Sequence, residues 1–246
     1  MLTLRALGAL GSIDRISVGR DPLLRWILVL APASALVVRW IFPPLLARVE
    51  EATGVDLAPH VPALVGYVLL LLVPNLVGMV VGFLLLDQRD DDTLAALRVT
   101  PVPLAGYLAY RLAGPVLLTI AVTLALFPIA GLMDVGPAAL LASTLAAAPL
   151  APLFALFLAA FAANKVQGFA LTKATGVLLI APLVAYFVES GWRWALGVVP
   201  TFWPAVTYWA FREAEGSAWA YLGIGIAYQL LLLLLLLRRF RRVTSR

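Results

Sequence analysis

Between Val61 and Leu86, and again between Val135 and Asn164, the chain carries no charged side chain at all. An uncharged apolar run of about 20 residues is long enough, at 1.5 Å per residue in a helix, to cross the ~30 Å hydrocarbon layer of a bilayer. About six such stretches follow one another here, separated by short charged loops. Charged residues make up only 13% of the sequence, against roughly a quarter in soluble domains. Six spans consume roughly half of the 246 residues and leave no room for a soluble domain. The expected fold is therefore an all-α membrane protein, one domain over residues 1–246.

The spans are expected at about Leu23–Leu46, Val61–Leu86, Leu104–Leu132, Val135–Asn164, Phe169–Val188 and Gly216–Leu237. Arg39 interrupts the first, and beside Trp40 it is read as snorkelling to an interface. Pro74 lies inside the second and is a candidate break or hinge. Trp194 to Phe211 is also uncharged, but it holds Pro200, Pro204 and a cluster of aromatic side chains. Counting it as a seventh span would move Arg238, Arg239, Arg241, Arg242 and Arg246 to the outer side. With six spans, about fourteen of the 18 Lys and Arg residues fall on the cytoplasmic side, together with both termini, as the positive-inside rule requires. Residues 194–211 are thus expected to form a broken, re-entrant segment on the outer face. Residues 1–22, which alternate Leu and Ile with Arg5, Asp14, Arg15 and Arg20, are expected to form an interfacial helix that turns into the membrane at Asp21-Pro22. No cleavable signal peptide and no internal repeat are read in the sequence.

The loop after the second span, Asp87-Gln-Arg-Asp-Asp-Asp-Thr-Leu-Ala-Ala-Leu-Arg-Val-Thr-Pro101, carries helix start and stop signals. Asp92 or Thr93 can cap the first amides, the acids suit the positive end of a helix dipole, and Arg98 suits the negative end. Pro101 stops the helix, and Leu94 and Leu97 share a face. Two turns of helix do not hold alone, so neighbouring spans or a partner must support them.

This loop, from Leu86 to Tyr107, resembles the pattern of ABC-2 type permeases: an acid, here Asp87, then Arg89, Thr93, Leu94, Leu97, Thr100 and Pro101. The basic N-terminal helix ending in Arg20-Asp-Pro, the six spans and the broken segment before the last span extend the likeness to the whole chain. It is similar above all to small bacterial drug-export permeases, those that export fluoroquinolones among them. The resemblance implies that residues 87–103 form a cytoplasmic coupling helix, with Asp87, Arg89, Thr93, Leu94, Leu97, Arg98 and Pro101 meeting a separate ATPase subunit. It further implies two copies of that ATPase, which would hold the ATP and Mg, and a second permease subunit, the same or homologous, in the bacterial inner membrane. The chain lacks a Gly-x-x-x-x-Gly-Lys-Ser/Thr loop, so it is not the ATPase.

Other classes fit less well. The sequence has no cysteine and a single histidine, His60, which cannot by itself build a His metal site; no catalytic, metal or cofactor residues are expected. The basic balance belongs to topology rather than to nucleic acid. A secondary transporter normally places ionisable side chains mid-membrane, and the span centres here hold little beyond Asn75 and Gln229. A non-transport anchor or assembly protein is the remaining alternative. For an apolar or amphipathic cargo, the candidate path residues are Asn75, Met79, Phe83, Thr175, Tyr186 and Phe187. Gly78 and Gly82 form a Gly-x-x-x-Gly pair suited to close helix contact, within the chain or between copies.

Overall fold

The computed structural model describes residues 4–54, 56, 58–90, 104–132, 135–188 and 190–244. Six of its helical stretches are long and apolar enough to cross a membrane: Pro22–Trp40, Val61–Asp90, Ala109–Ala130, Pro137–Phe161, Lys165–Phe187 and Ala218–Phe240. Among the described residues the secondary structure is helical, as backbone groups in lipid demand.

Helix α1 (Leu4–Arg20) hands over to α2 (Pro22–Trp40) at Asp21. The Asp21 carboxylate accepts from the amides of Leu23 at 2.8 Å and Leu24 at 3.4 Å, and Pro22 takes the first helical position, where no amide is missed. The first span is shorter than the sequence predicts. Pro43 and Pro44 cannot donate to the carbonyls of Arg39 and Trp40, so the helix breaks at Ile41 and a separate helix α3 (Phe42–Thr53) follows, with none of its residues buried. A 3-10 turn (Ala58–His60) leads into α4 (Val61–Asp90), which runs unbroken through Pro74 and is the buried axis of the bundle.

Helix α5 (Leu104–Ala130) returns. The fourth span is split at Ala148-Pro149 into α6 (Pro137–Ala147) and α7 (Leu150–Phe161), and the fifth at Leu179 into α8 (Lys165–Leu178) and α9 (Ile180–Phe187). The fifth begins at Lys165 rather than Phe169, because Asn164 caps it by accepting from the Gln167 amide at 3.0 Å. Lys173 consequently sits about 12 Å up the helix, exposed. A 3-10 helix (Gly191–Val198), α10 (Phe202–Arg212) and α11 (Ala218–Thr244) complete the chain.

Helix α4 packs most extensively on α7, and its small residues set the distance. A Cβ on Gly78 would come 2.6 Å from the Ala151 carbonyl oxygen, and one on Gly82 would come 2.8 Å from Leu158 Cδ1. The Gly-x-x-x-Gly pair is therefore used within the chain. Helix α10 lies against α4, α6 and α11. Its C-terminal half donates from Tyr208 Oη to the Pro62 carbonyl at 3.1 Å and from Trp209 Nε1 to that of Ala63 at 3.0 Å, at the start of α4. The turn preceding it reaches much deeper: Thr201 donates to the Leu178 carbonyl at 2.5 Å, and Tyr228, about 15 Å along α11, donates to the Val198 carbonyl at 2.5 Å. Residues 191–212 are thus a helical hairpin that enters the bundle and comes back to the end it left.

Candidate functional site

At the other end of the bundle, here called its foot, α4 finishes with Asp87-Gln88-Arg89, and each of these side chains reaches a different neighbour. Asp87 accepts from Lys165 Nζ, the first residue of α8, at 3.0 Å, and the same ammonium donates to Asp21 at 2.5 Å. One lysine thereby joins α8, the foot of α4 and the α1–α2 junction. Burial alone would raise the Asp21 carboxyl, but the Lys165 ammonium and the amides of Leu23 and Leu24 outweigh it and hold the group below its ordinary value.

Arg89 turns to the end of α7, whose last carbonyls lack helical partners. Its guanidinium donates to the carbonyls of Ala159 at 3.2 Å, Ala162 at 2.8 Å and Ala163 at 2.5 Å. A cation belongs at this negative end of the helix dipole. Arg239 of α11 supports the same helix end, lying 4.1 Å over the Phe161 ring and donating to Ala160 at 3.4 Å.

Gln88 begins the longest connection. It accepts a hydrogen bond from the hydroxyl of Tyr107, on α5, and that hydroxyl accepts from Arg111 Nε at 3.0 Å. Arg111 then pairs with Asp14 of α1 through both guanidinium nitrogens, at 2.8 and 2.9 Å, and Tyr110 donates to the same carboxylate at 2.9 Å. Arg111 is only 4% exposed. A buried guanidinium needs this two-pronged pairing to offset its desolvation. Three consecutive residues at the foot of α4 therefore hold α8 and the start of α2, the end of α7, and α5 with α1.

Of the residues nominated from the sequence, Asp87 and Arg89 stand in this network. Thr93, Leu94, Leu97, Arg98 and Pro101 lie outside the described residues, as does the rest of the predicted coupling helix. Higher in the bundle, Asn75 and Thr175 are both buried and meet, the threonine hydroxyl donating to Asn75 Oδ1 at 3.2 Å. Met79 is partly buried on the core, whereas Phe83 is fully buried and lies against Gly168. Tyr186 meets His60 across 3.0 Å between Oη and Nδ1, and Phe187 is 65% exposed. Asp14, Gln88, Tyr107 and Lys165 were not nominated. Arg111 carried the available signal, since a lone charge inside an apolar helix demands a partner.

A family model described as fluoroquinolones export permease protein Rv2686c-like matches residues 14–237. The chain belongs to this family. It is 36% identical, over 96% of its own length and 94% of theirs, to two relatives from Mycobacterium tuberculosis: the fluoroquinolones export permease protein Rv2686c of strain ATCC 25618 / H37Rv and its counterpart MT2760 of strain CDC 1551 / Oshkosh. No solved structure matches the chain. The stretch matched by the Rv2686c-like family runs from Asp14 in α1 to Leu237 in α11, and so holds every member of the foot network except Arg239.

Proposed function

We propose that this chain is the membrane-spanning permease subunit of an ATP-driven exporter in the bacterial inner membrane, with both termini cytoplasmic. A separate ATPase, in two copies, binds ATP and Mg; a second permease subunit, identical or homologous, completes the pathway. The cargo is an apolar or amphipathic compound of the kind named for the relatives, a fluoroquinolone-like drug.

The observation that carries this reading is the convergence of the foot network on Asp87-Gln88-Arg89, immediately before residues 91–103. A push on that segment arrives at the end of α4, and the three side chains pass it to α8, α7, α5 and α1 together. Because α4 is also the buried axis, closely packed on α7 at Gly78 and Gly82, it moves its neighbours as a body rather than bending alone. The Asn75–Thr175 contact lies about 18 Å above Asp87 and joins α4 to α8, where cargo would pass with Met79, Tyr186 and Phe187. Lys173 favours a partner subunit or a water-filled path beside α8, since an exposed ammonium in a span is costly against lipid.

The test is to purify the chain from its native membrane in mild detergent and identify co-purifying proteins by mass spectrometry. A stoichiometric soluble ATPase with a phosphate-binding loop is expected, lost on Leu94→Asp or Leu97→Asp while membrane insertion is retained. Export activity without any ATPase would contradict the reading and favour a secondary transporter.

A further inference from the structure

Beside the foot network lies a cavity of about 480 Å³, walled by α1, α2, α4 and α5. Its size is that of a small-molecule site, typically ≈ 300–1,000 Å³. The walls are apolar, with Leu28, Val80, Leu84 and Leu118 prominent, while one end carries Asp14, Arg15, Tyr110 and Arg111. Asp14 and Arg111 satisfy each other, and the Tyr110 hydroxyl is already bonded to Asp14. Arg15 is different: it is exposed at the cavity, and among the described residues it has no carboxylate partner. The polar end therefore carries one unbalanced positive charge, set against an apolar body.

Resting on the export reading above, we infer that this cavity is a binding site for a compact amphiphile bearing one carboxylate. The carboxylate meets Arg15, and the ring system lies along α5 between Tyr110 and Leu118. A guanidinium and a carboxylate make a charge-assisted, two-pronged contact, and Tyr110 lines the same end of the cavity. From Arg111 to Leu118 the slot extends about 10 Å along α5. That is shorter than the ~15 Å of one lipid leaflet, so it suits a fused ring better than an acyl chain. The location, beside α1 at the foot and apart from the Asn75–Thr175 contact, makes it a site where cargo collects before transport.

The purified complex in lipid nanodiscs tests this with a fluoroquinolone, which carries one carboxylate and is fluorescent, and with its methyl ester. Arg15→Gln is expected to weaken binding of the acid about three- to tenfold and to leave the ester unchanged. A Cβ on Gly114 meets nothing within 4 Å, so Gly114→Leu fits the fold while filling the cavity, and it is expected to abolish binding of both compounds. Equal binding of the acid by wild type, Arg15→Gln and Gly114→Leu would overturn the inference. So would a phospholipid retained in native mass spectra, lost in Gly114→Leu, without drug binding. Arg15-dependent binding by a chain that recruits no ATPase would support the site while refuting the ATP-driven reading.

Discussion

The two ends of this bundle are fastened by different chemistry. At the foot, ion pairs and guanidinium caps do the work: Lys165 between Asp21 and Asp87, Arg89 on the end of α7, and Arg111 with Asp14. At the opposite end, neutral aromatic donors reach backbone carbonyls: Tyr208 to Pro62, Trp209 to Ala63, and, within the hairpin, Trp203 to Gly197. On the export reading proposed above, charges suit an end that would meet a soluble partner, because they hold groups in fixed directions. Neutral bonds suit α10, the arm of the hairpin that is mostly buried among its neighbours, where an unpaired charge would be costly. On that same reading, movement would enter at the foot and the hairpin would anchor the opposite end.

The largest expected effect comes from unpairing the buried charge. Asp14→Ala leaves Arg111 without its carboxylate and is expected to cost about 3–5 kcal/mol in a chemical denaturation series. Adding Arg111→Met is expected to recover much of that loss; no recovery would mean that Asp14 acts mainly through its other contacts.

Next is the hairpin. Tyr208 covers Gly66 so closely that a Cβ there would come 2.5 Å from Cζ and 2.7 Å from Cε1 of its ring. Gly66→Ala is expected to cost about 1–3 kcal/mol. Removing only the hydrogen bond, with Tyr208→Phe, is expected to cost about 1 kcal/mol, with no dependence on salt. A strong salt dependence at this end would break the comparison.

The smallest effect concerns pH. The Asp21 carboxyl is held below its ordinary value of 3.8, chiefly because Lys165 and two backbone amides outweigh its burial. The stability it contributes is therefore present above that ordinary value and lost as the pH falls through the lowered one. The pair is partly exposed, so the acid loss is small, and Asp21→Asn is expected to remove it from a thermal unfolding profile measured against pH.

The spans were legible because an apolar run has only one way to satisfy its backbone in lipid. The break in the 194–211 run was legible for a related reason: Pro200 and Pro204 interrupt it, and the structure divides it into a 3-10 helix and α10 there. The break at Ile41 was also written in the sequence, as Pro43-Pro44, but the next charge is Arg48, so the apolar pattern ran past it. Pairing across the bundle was not legible. Nothing local in Asp14 announces Arg111, 97 residues away, and nothing in Lys165 announces two carboxylates from other helices. Periodicity reports which face of a helix is apolar, not which neighbour that face meets. Asn75 and Thr175 stood out as polar residues in apolar runs, and only the packing of α4 on α8 brings them together.

The most direct test of force entering at the foot places a photo-crosslinking residue at Asp90, exposed at the end of α4, and in a second variant at Phe187, exposed at the far end of α9. Illumination of native membranes is predicted to yield an adduct with the ATPase from position 90 and none from position 187. An ATPase adduct from position 187, or none from position 90 in a complex that still exports, would contradict the account.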